Sequence, residues 1–278
     1  MPARWTRVIF KMYEVYWGLN EKPFENTADP RFLYYSKQHE EAFTRLIYAI
    51  QEQKGAAVLS GVFGCGKTVV AQAVLSSLSK GKYETAFVIN PQLSHVELLR
   101  EILYDLGVKD NLPTQKTDIL HSLNEILHHN MDNGKQTVVI IDEAHLIEDR
   151  LIFEELRLLL NFQYKNQFLL TLILLGQPEL KEKINNIKQL AQRIAIKYHL
   201  SGLNEAETLE YIHHRLKIAS ATKKIFDDSA LKIIYEQSGG IPRRINQICD
   251  MALLTGFGRQ DGMINEDIIM EVVKDLES

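Results

Sequence analysis

Cysteine is scarce: only Cys65 and Cys249 occur in 278 residues, far apart and without a Cys-x-x-Cys or Cys/His ligand spacing. A disulfide scaffold and a zinc site are therefore not what folds this chain, and a reduced, cytoplasmic protein is expected. Long apolar runs are lacking too. The longest, Phe168 to Leu175, falls far short of the ~20 residues that a membrane-spanning helix requires. Neither sign of charge dominates. With 32 Lys+Arg against 36 Asp+Glu the net charge is −4, so attraction to nucleic acid or an anionic membrane would need a local basic patch. Proline (7) and glycine (15) are too few and too scattered to form a linker or low-complexity tract, and no internal repeat is present. The first eleven residues are basic but contain no signal-peptide apolar core; a disordered extension is expected there, with organised sequence from Met12.

What is present is a globular composition, 45% hydrophobic and 24% charged, long enough for one larger and one smaller domain. Short apolar runs recur at Ala56–Leu59, Ala86–Ile89, Val138–Ile141 and Leu169–Leu175. Amphipathic stretches separate them, at 69–79, 96–106, 120–129 and 151–160. Strands apolar on both faces alternating with helices imply a parallel sheet covered on both sides, an αβα sandwich with its ligand at the strand carboxyl ends. After Leu200 the strand-like runs stop. Asn204 with Glu207 spells a capping box, Asp227 or Asp228 can cap a second helix, Pro242 suits the first turn of a third, and Asn265 opens a fourth. The expected division is an extension over 1–11, an αβα ligand-binding domain over 12–200 and a small helical domain over 201–278.

The first apolar run leads into Gly61-Val62-Phe63-Gly64-Cys65-Gly66-Lys67-Thr68, which fits G-x-x-x-x-G-K-[ST] between a strand and a helix. Glycines allow consecutive backbone N–H groups to turn inward, and the helix that begins there adds its positive end, so residues Gly61 to Val69 are expected to cradle a triphosphate. Lys67 supplies a point charge to the outer phosphates, and Thr68 a hydroxyl ligand to Mg²⁺. The third run ends in Asp142-Glu143-Ala144-His145. Asp142 is expected to hold Mg²⁺, and Glu143 to act as general base on the attacking water. His145 reads as a supporting histidine. The fourth run ends in Gly176-Gln177-Pro178, which puts an amide at a strand tip where it can sense the outer phosphate or orient the water.

These elements together resemble the AAA+ ATPases, a P-loop NTPase fold with a helical lid. More narrowly, the chain resembles the ExeA/GspA group associated with general secretion. The resemblance is carried by Trp17-Gly18-Leu19, Lys22-Pro23-Phe24, Asp29-Pro30-Arg31-Phe32-Leu33-Tyr34, His39-Glu40-Glu41-Ala42, Gly176-Gln177-Pro178-Glu179-Leu180, Gln192-Arg193-Ile194 and Gly240-Ile241-Pro242-Arg243-Arg244-Ile245-Asn246. It implies that Arg243 reaches the nucleotide phosphates from the lid, and that Arg193 is inserted into a neighbouring subunit's site, with Arg157 and Arg244 as competitors. It also implies that the Pro23-Phe24 and Asp29-Pro30 segment folds against the nucleotide base, with Tyr34, Tyr35 and His39 nearest adenine or ribose. The implied protein is a ring-forming homo-oligomer, a hexamer by analogy, using ATP and Mg²⁺ and serving an inner-membrane secretion, pilus or polysaccharide-export component. It would be cytoplasmic, or peripheral at the inner membrane through that partner. Longer ExeA-type proteins continue into a membrane helix and a peptidoglycan-binding domain; a short form is expected here. Cys65 and Asn161-Phe162-Gln163-Tyr164 depart from the family's usual residues. The alternative is a DNA-binding AAA+ regulator of the TniB/TnsC transposition type. The acidic balance and the lack of an appended helix-turn-helix argue against it, and Lys80 and Lys82 would be its footprint.

Overall fold

The computed structural model describes residues 13–27 and 29–277. Expectations about residues 1–11 lie outside them. Contacts divide the chain into two units: residues 37–63 with 67–200, and the segment through Ser36 with 64–66 and 201–278.

The larger unit is built on a five-stranded parallel sheet in the order β2-β3-β6-β1-β7. The strands are β1 (Ala56–Gly61), β2 (Tyr83–Val88), β3 (Gln136–Ile141), β6 (Leu170–Gly176) and β7 (Ile194–Leu200); β4 (Gln163–Tyr164) and β5 (Gln167–Phe168) form a separate hairpin. The central strands β1 and β6 are buried at every residue and β3 from Thr137 onward. Each fully buried Leu or Ile in such a strand contributes about 1.5–3 kcal/mol, which is why these runs read clearly in the sequence. Helices Lys67–Ser77, His95–Asp105, Lys116–Asp132 and Arg150–Leu159 connect the strands close to the expected positions. Ser94 and Glu97 form a capping box on the second of them, and the Asp149 side chain caps the fourth. The connection leaving β1 runs to the far edge strand β2, whereas the one leaving β6 passes over β1 to β7. The connections leaving the adjacent strands β1 and β6 therefore run in opposite directions, and a switch point of this kind is where open α/β sheets bind ligands.

Several elements of this unit are additional to those the sequence predicts, among them the short helices Glu179–Asn185 and Lys188–Ala191 that follow β6. Helix Lys37–Gln51 precedes β1. The β4–β5 hairpin turns through Lys165 and Asn166, both with positive φ (46° and 66°), the backbone a two-residue type I′ turn demands. Strand β7 is an edge strand buried only at its ends, Ile194 and Leu200, with exposed and half-buried residues between them, so it never presents an apolar run.

The smaller unit contains the four expected helices, Glu205–Ile218, Asp228–Ser238, Pro242–Arg259 and Glu266–Glu277. The Asn204/Glu207 capping box, the Asp227 cap and the Asn265 side-chain bond to the Ile268 N–H are all formed. Its composition differs from the expected 12–200 and 201–278 division, because the N-terminal segment joins the helices. Trp17 is fully buried in their core and its indole N–H donates to the Leu253 carbonyl at 2.9 Å. Arg215, 4% exposed, donates to the carbonyls of Pro23 (2.5 Å) and Glu25 (2.9 Å) and to the Tyr211 hydroxyl (2.7 Å), with its guanidinium over the Phe32 ring. A buried cation bound to backbone carbonyls holds that segment in place, since an unpaired one would cost several kcal/mol. Among the described residues, no helix is long and apolar enough to cross a membrane.

Candidate functional site

Strand β1 ends at Gly61, and the next helix begins at Lys67. Between them Gly64 (φ 81°) and Gly66 (φ 100°) occupy the left-handed region, which a side chain would oppose. At Gly64 there is also no room for one, because a Cβ would lie 2.5 Å from the Cβ of Arg243. The Gly64 carbonyl accepts the Arg243 backbone N–H at 3.2 Å, so Arg243, at the second residue of helix Pro242–Arg259, sits at the tip of the loop. The next residue, Arg244, a competitor of Arg193 for the role in a neighbouring subunit's site, is paired with Glu277 at 3.4 Å. Lys67 is 4% exposed, and its ammonium donates to the carbonyls of Gly61 (2.9 Å) and Val62 (3.1 Å). Val62 and Phe63 are exposed, Val69 is half-buried, and the Cys65 thiol is fully buried, which makes it a packed rather than a reactive sulfur.

The Thr68 hydroxyl donates to Asp142 Oδ2 at 2.6 Å, across 74 residues of sequence. Asp142 is 2% exposed, and its other oxygen accepts the Glu143 backbone N–H at 2.8 Å. Strand pairing brings these residues together, since β6 alone separates β1 from β3. A hydroxyl and a carboxylate side by side at a glycine-rich helix start are hard oxygen donors suited to Mg²⁺, so the expected metal ligands fit the ion. Glu143 holds a left-handed backbone (φ 50°), uncommon for a residue with a side chain and found where surroundings over-determine it. Its carboxylate lies 3.4 Å from Nδ1 of His145, an atom with no hydrogen-bond partner among the described residues. Gln177 lies one residue beyond the end of β6. Ser60 of β1 pairs with Gly176 and Ile141 of β3 with Leu174, so Gln177 leaves the sheet between the phosphate loop and the acidic pair.

Arg193 lies apart from these groups within the same unit. It precedes β7, whose first residue pairs with Ala56 at the start of β1, so about 17–20 Å of strand separates it from the loop. Its guanidinium donates to the Leu160 carbonyl at 2.8 Å. Arg157 is engaged by Glu154 at 2.8 Å. Of the residues expected near the base, Tyr34 donates to Glu210 and packs on the rings of Tyr211 and His214 in the helical unit. Tyr35 is half exposed, and His39 is buried in helix Lys37–Gln51. Lys183 belongs beside the site although no sequence motif contains it. Its ammonium donates to the carbonyls of His145 (2.5 Å) and Ile147 (2.8 Å), and partners that are backbone atoms leave no signature in side-chain spacing.

The family described as "AAA domain" matches residues 50–184. General secretion pathway protein A of Aeromonas hydrophila is 38% identical over 255 residues, covering 89% of this chain; the chain spans 45% of that relative's length. Among solved structures, the Aeropyrum pernix ORC2 protein in ADPNP–ADP complexes superposes with a TM-score of 0.71 at 16% identity, covering 92% of this chain and 71% of that one. The Thermotoga maritima RuvB Holliday junction branch migration motor gives 0.59 at 19% identity, over 87% of this chain and 70% of that one. At such identities these two likenesses concern the fold.

Proposed function

The chain belongs to the AAA-domain P-loop proteins and is a relative of general secretion pathway protein A, and from that premise we propose that it binds and hydrolyses ATP as an oligomeric motor or switch. The observation that carries the proposal is the Thr68–Asp142 contact: two oxygen ligands, remote in sequence, meet at the start of the helix after the phosphate loop.

In this reading the amides of residues 61–66 and the Lys67 ammonium hold the phosphates, and binding draws the ammonium from its loop carbonyls onto the outer phosphates. Thr68 and Asp142 would hold Mg²⁺, which when bound neutralises charge developing on the phosphate oxygens. Glu143 takes a proton from the attacking water as that water adds to the γ-phosphorus and ADP leaves. Gln177, emerging between loop and base, orients that water or senses the γ-phosphate. Arg243 at the loop tip senses the phosphates. Arg193, held away from its own chain's loop, serves the site of a neighbouring protomer, so that turnover requires assembly. Its partner is a secretion, pilus or export component at the inner membrane, reached from the cytoplasmic side; this rests on the relationship to the secretion protein.

Lys67→Ala and Glu143→Gln test the reading together. Titration calorimetry should show ATP binding lost in the first and kept in the second, with phosphate release absent from the first and reduced to a slow residual rate in the second. ATP bound normally by Lys67→Ala, or released as phosphate at wild-type rate by Glu143→Gln, refutes it.

A further inference from the structure

We infer that Lys183 is a positioning residue that ties the turn carrying Glu143 to the segment carrying Gln177, an inference that rests on Glu143 being the base. Glu143 needs help to hold its conformation, because a left-handed backbone persists in a non-glycine residue only where neighbours enforce it. Two contacts come from the turn itself: the Glu143 N–H bonds to Asp142 Oδ1, and its carbonyl accepts the Leu146 N–H at 2.8 Å. Beyond Glu143 the chain makes a single 3₁₀ turn, Ala144–Leu146, too short to satisfy its own outward carbonyls. Lys183 donates to two carbonyls here, those of His145 and Ile147, through charge-assisted bonds. An ammonium has three donors and no acceptor, so it can bridge both carbonyls at once.

The other end of this link is Gln177. Lys183 lies on helix Glu179–Asn185, whose first turn is anchored by Leu180 N–H to the Gln177 carbonyl at 2.9 Å. The two segments also touch directly. A Cβ at Gly176 would lie 3.1 Å from the His145 backbone nitrogen and 2.8 Å from Cδ2 of Leu180, so glycine there permits the approach. Amide tip, short helix, ammonium and base-bearing turn thus form one continuous piece, and a displacement of Gln177 by the γ-phosphate is carried to Glu143.

Lys183→Met keeps the stem and removes both donations. Its affinity for a non-hydrolysable ATP analogue and its KM should stay within about twofold of wild type, while kcat falls about ten- to a hundredfold, the cost of a misplaced catalytic group. Lys183→Arg should recover most of that loss. In a Glu143→Gln background, Lys183→Met should cause no further loss of residual turnover, because it acts through the base. Gly176→Ala disturbs the same contact from the opposite side and should give the same selective fall in kcat, which keeps the test open if the methionine variant folds poorly. Wild-type kcat in Lys183→Met, or a loss equally large in the Glu143→Gln background, overturns the inference and leaves the ATPase reading intact. Absence of turnover in wild-type protein overturns both.

Discussion

Thr68→Val isolates the contact on which the site depends. Valine matches threonine in shape but cannot donate to Asp142 Oδ2, which now receives the hydroxyl at 2.6 Å in a carboxylate only 2% exposed. A hydrogen bond to a charged group is worth about 1.5–3 kcal/mol, and a buried oxygen left without its donor costs a similar amount. Oδ1 keeps its bond to the Glu143 N–H, so the loss is confined to one oxygen. In a chain of this size each kcal/mol moves the melting temperature by about 2–4 °C, which gives an expected fall of about 3–12 °C without nucleotide. Thermal and urea melts of wild type, Thr68→Val and Thr68→Ser read this directly, with serine restoring most of the stability. Calorimetry with and without magnesium then reads the site: valine should abolish the part of ATP affinity that depends on the metal, and serine should retain it. A melting point within about 1 °C of wild type shows that the hydroxyl does not satisfy the carboxylate. A lowered melting point with unchanged metal-dependent affinity shows that the pair is purely structural and refutes the ligand assignment.

Arg193→Ala should leave ATP binding intact and remove turnover from assembled protein, by as much as about 10³–10⁵-fold if it acts as a trans finger. Mixing it with Lys67→Ala subunits, which donate an intact arginine, should restore part of the activity, and absence of both loss and rescue redirects the role to Arg157 or Arg244. His214 gives a pH prediction. Its burial pushes the imidazole below its usual value of 6.5, the Arg215 charge adding to the effect, and the bond to Leu33 only partly opposes it. The unfolded chain then binds the proton more readily than the folded one, so stability is fully present above about pH 6.5 and falls as pH drops toward the lowered folded value. His214→Gln should flatten the decline of melting temperature between pH 7.5 and 5.5, and an unchanged slope rejects this origin.

The sandwich was legible because its central strands are buried on both faces, and that burial writes itself as apolar runs such as Val138–Ile141. Edge strand β7 was not, because Lys197, Tyr198 and His199 reach solvent and break any run. The Gly61–Thr68 motif and the Asp142-Glu143 pair were legible because each is a run of contiguous residues. Their meeting depends on the insertion of β6 between β3 and β1, which no local pattern records. The sequence places the N-terminal segment with the larger unit and the contacts group it with the helices, for a related reason. Its fixing points are the Pro23 and Glu25 carbonyls and the Trp17 indole, and their partners Arg215 and Leu253 lie about two hundred residues away.

The pairing of Trp17 with Leu253 also sets a timetable for biosynthesis. The partners are 236 positions apart, so at about 5–20 residues per second roughly 12–50 s pass between the addition of Trp17 to the chain and that of its carbonyl acceptor. Strands and helices 37–200 can complete their own core during that interval. The opening segment, with Trp17 and Phe24 still uncovered, is the stretch of nascent chain that a chaperone would have most reason to shelter.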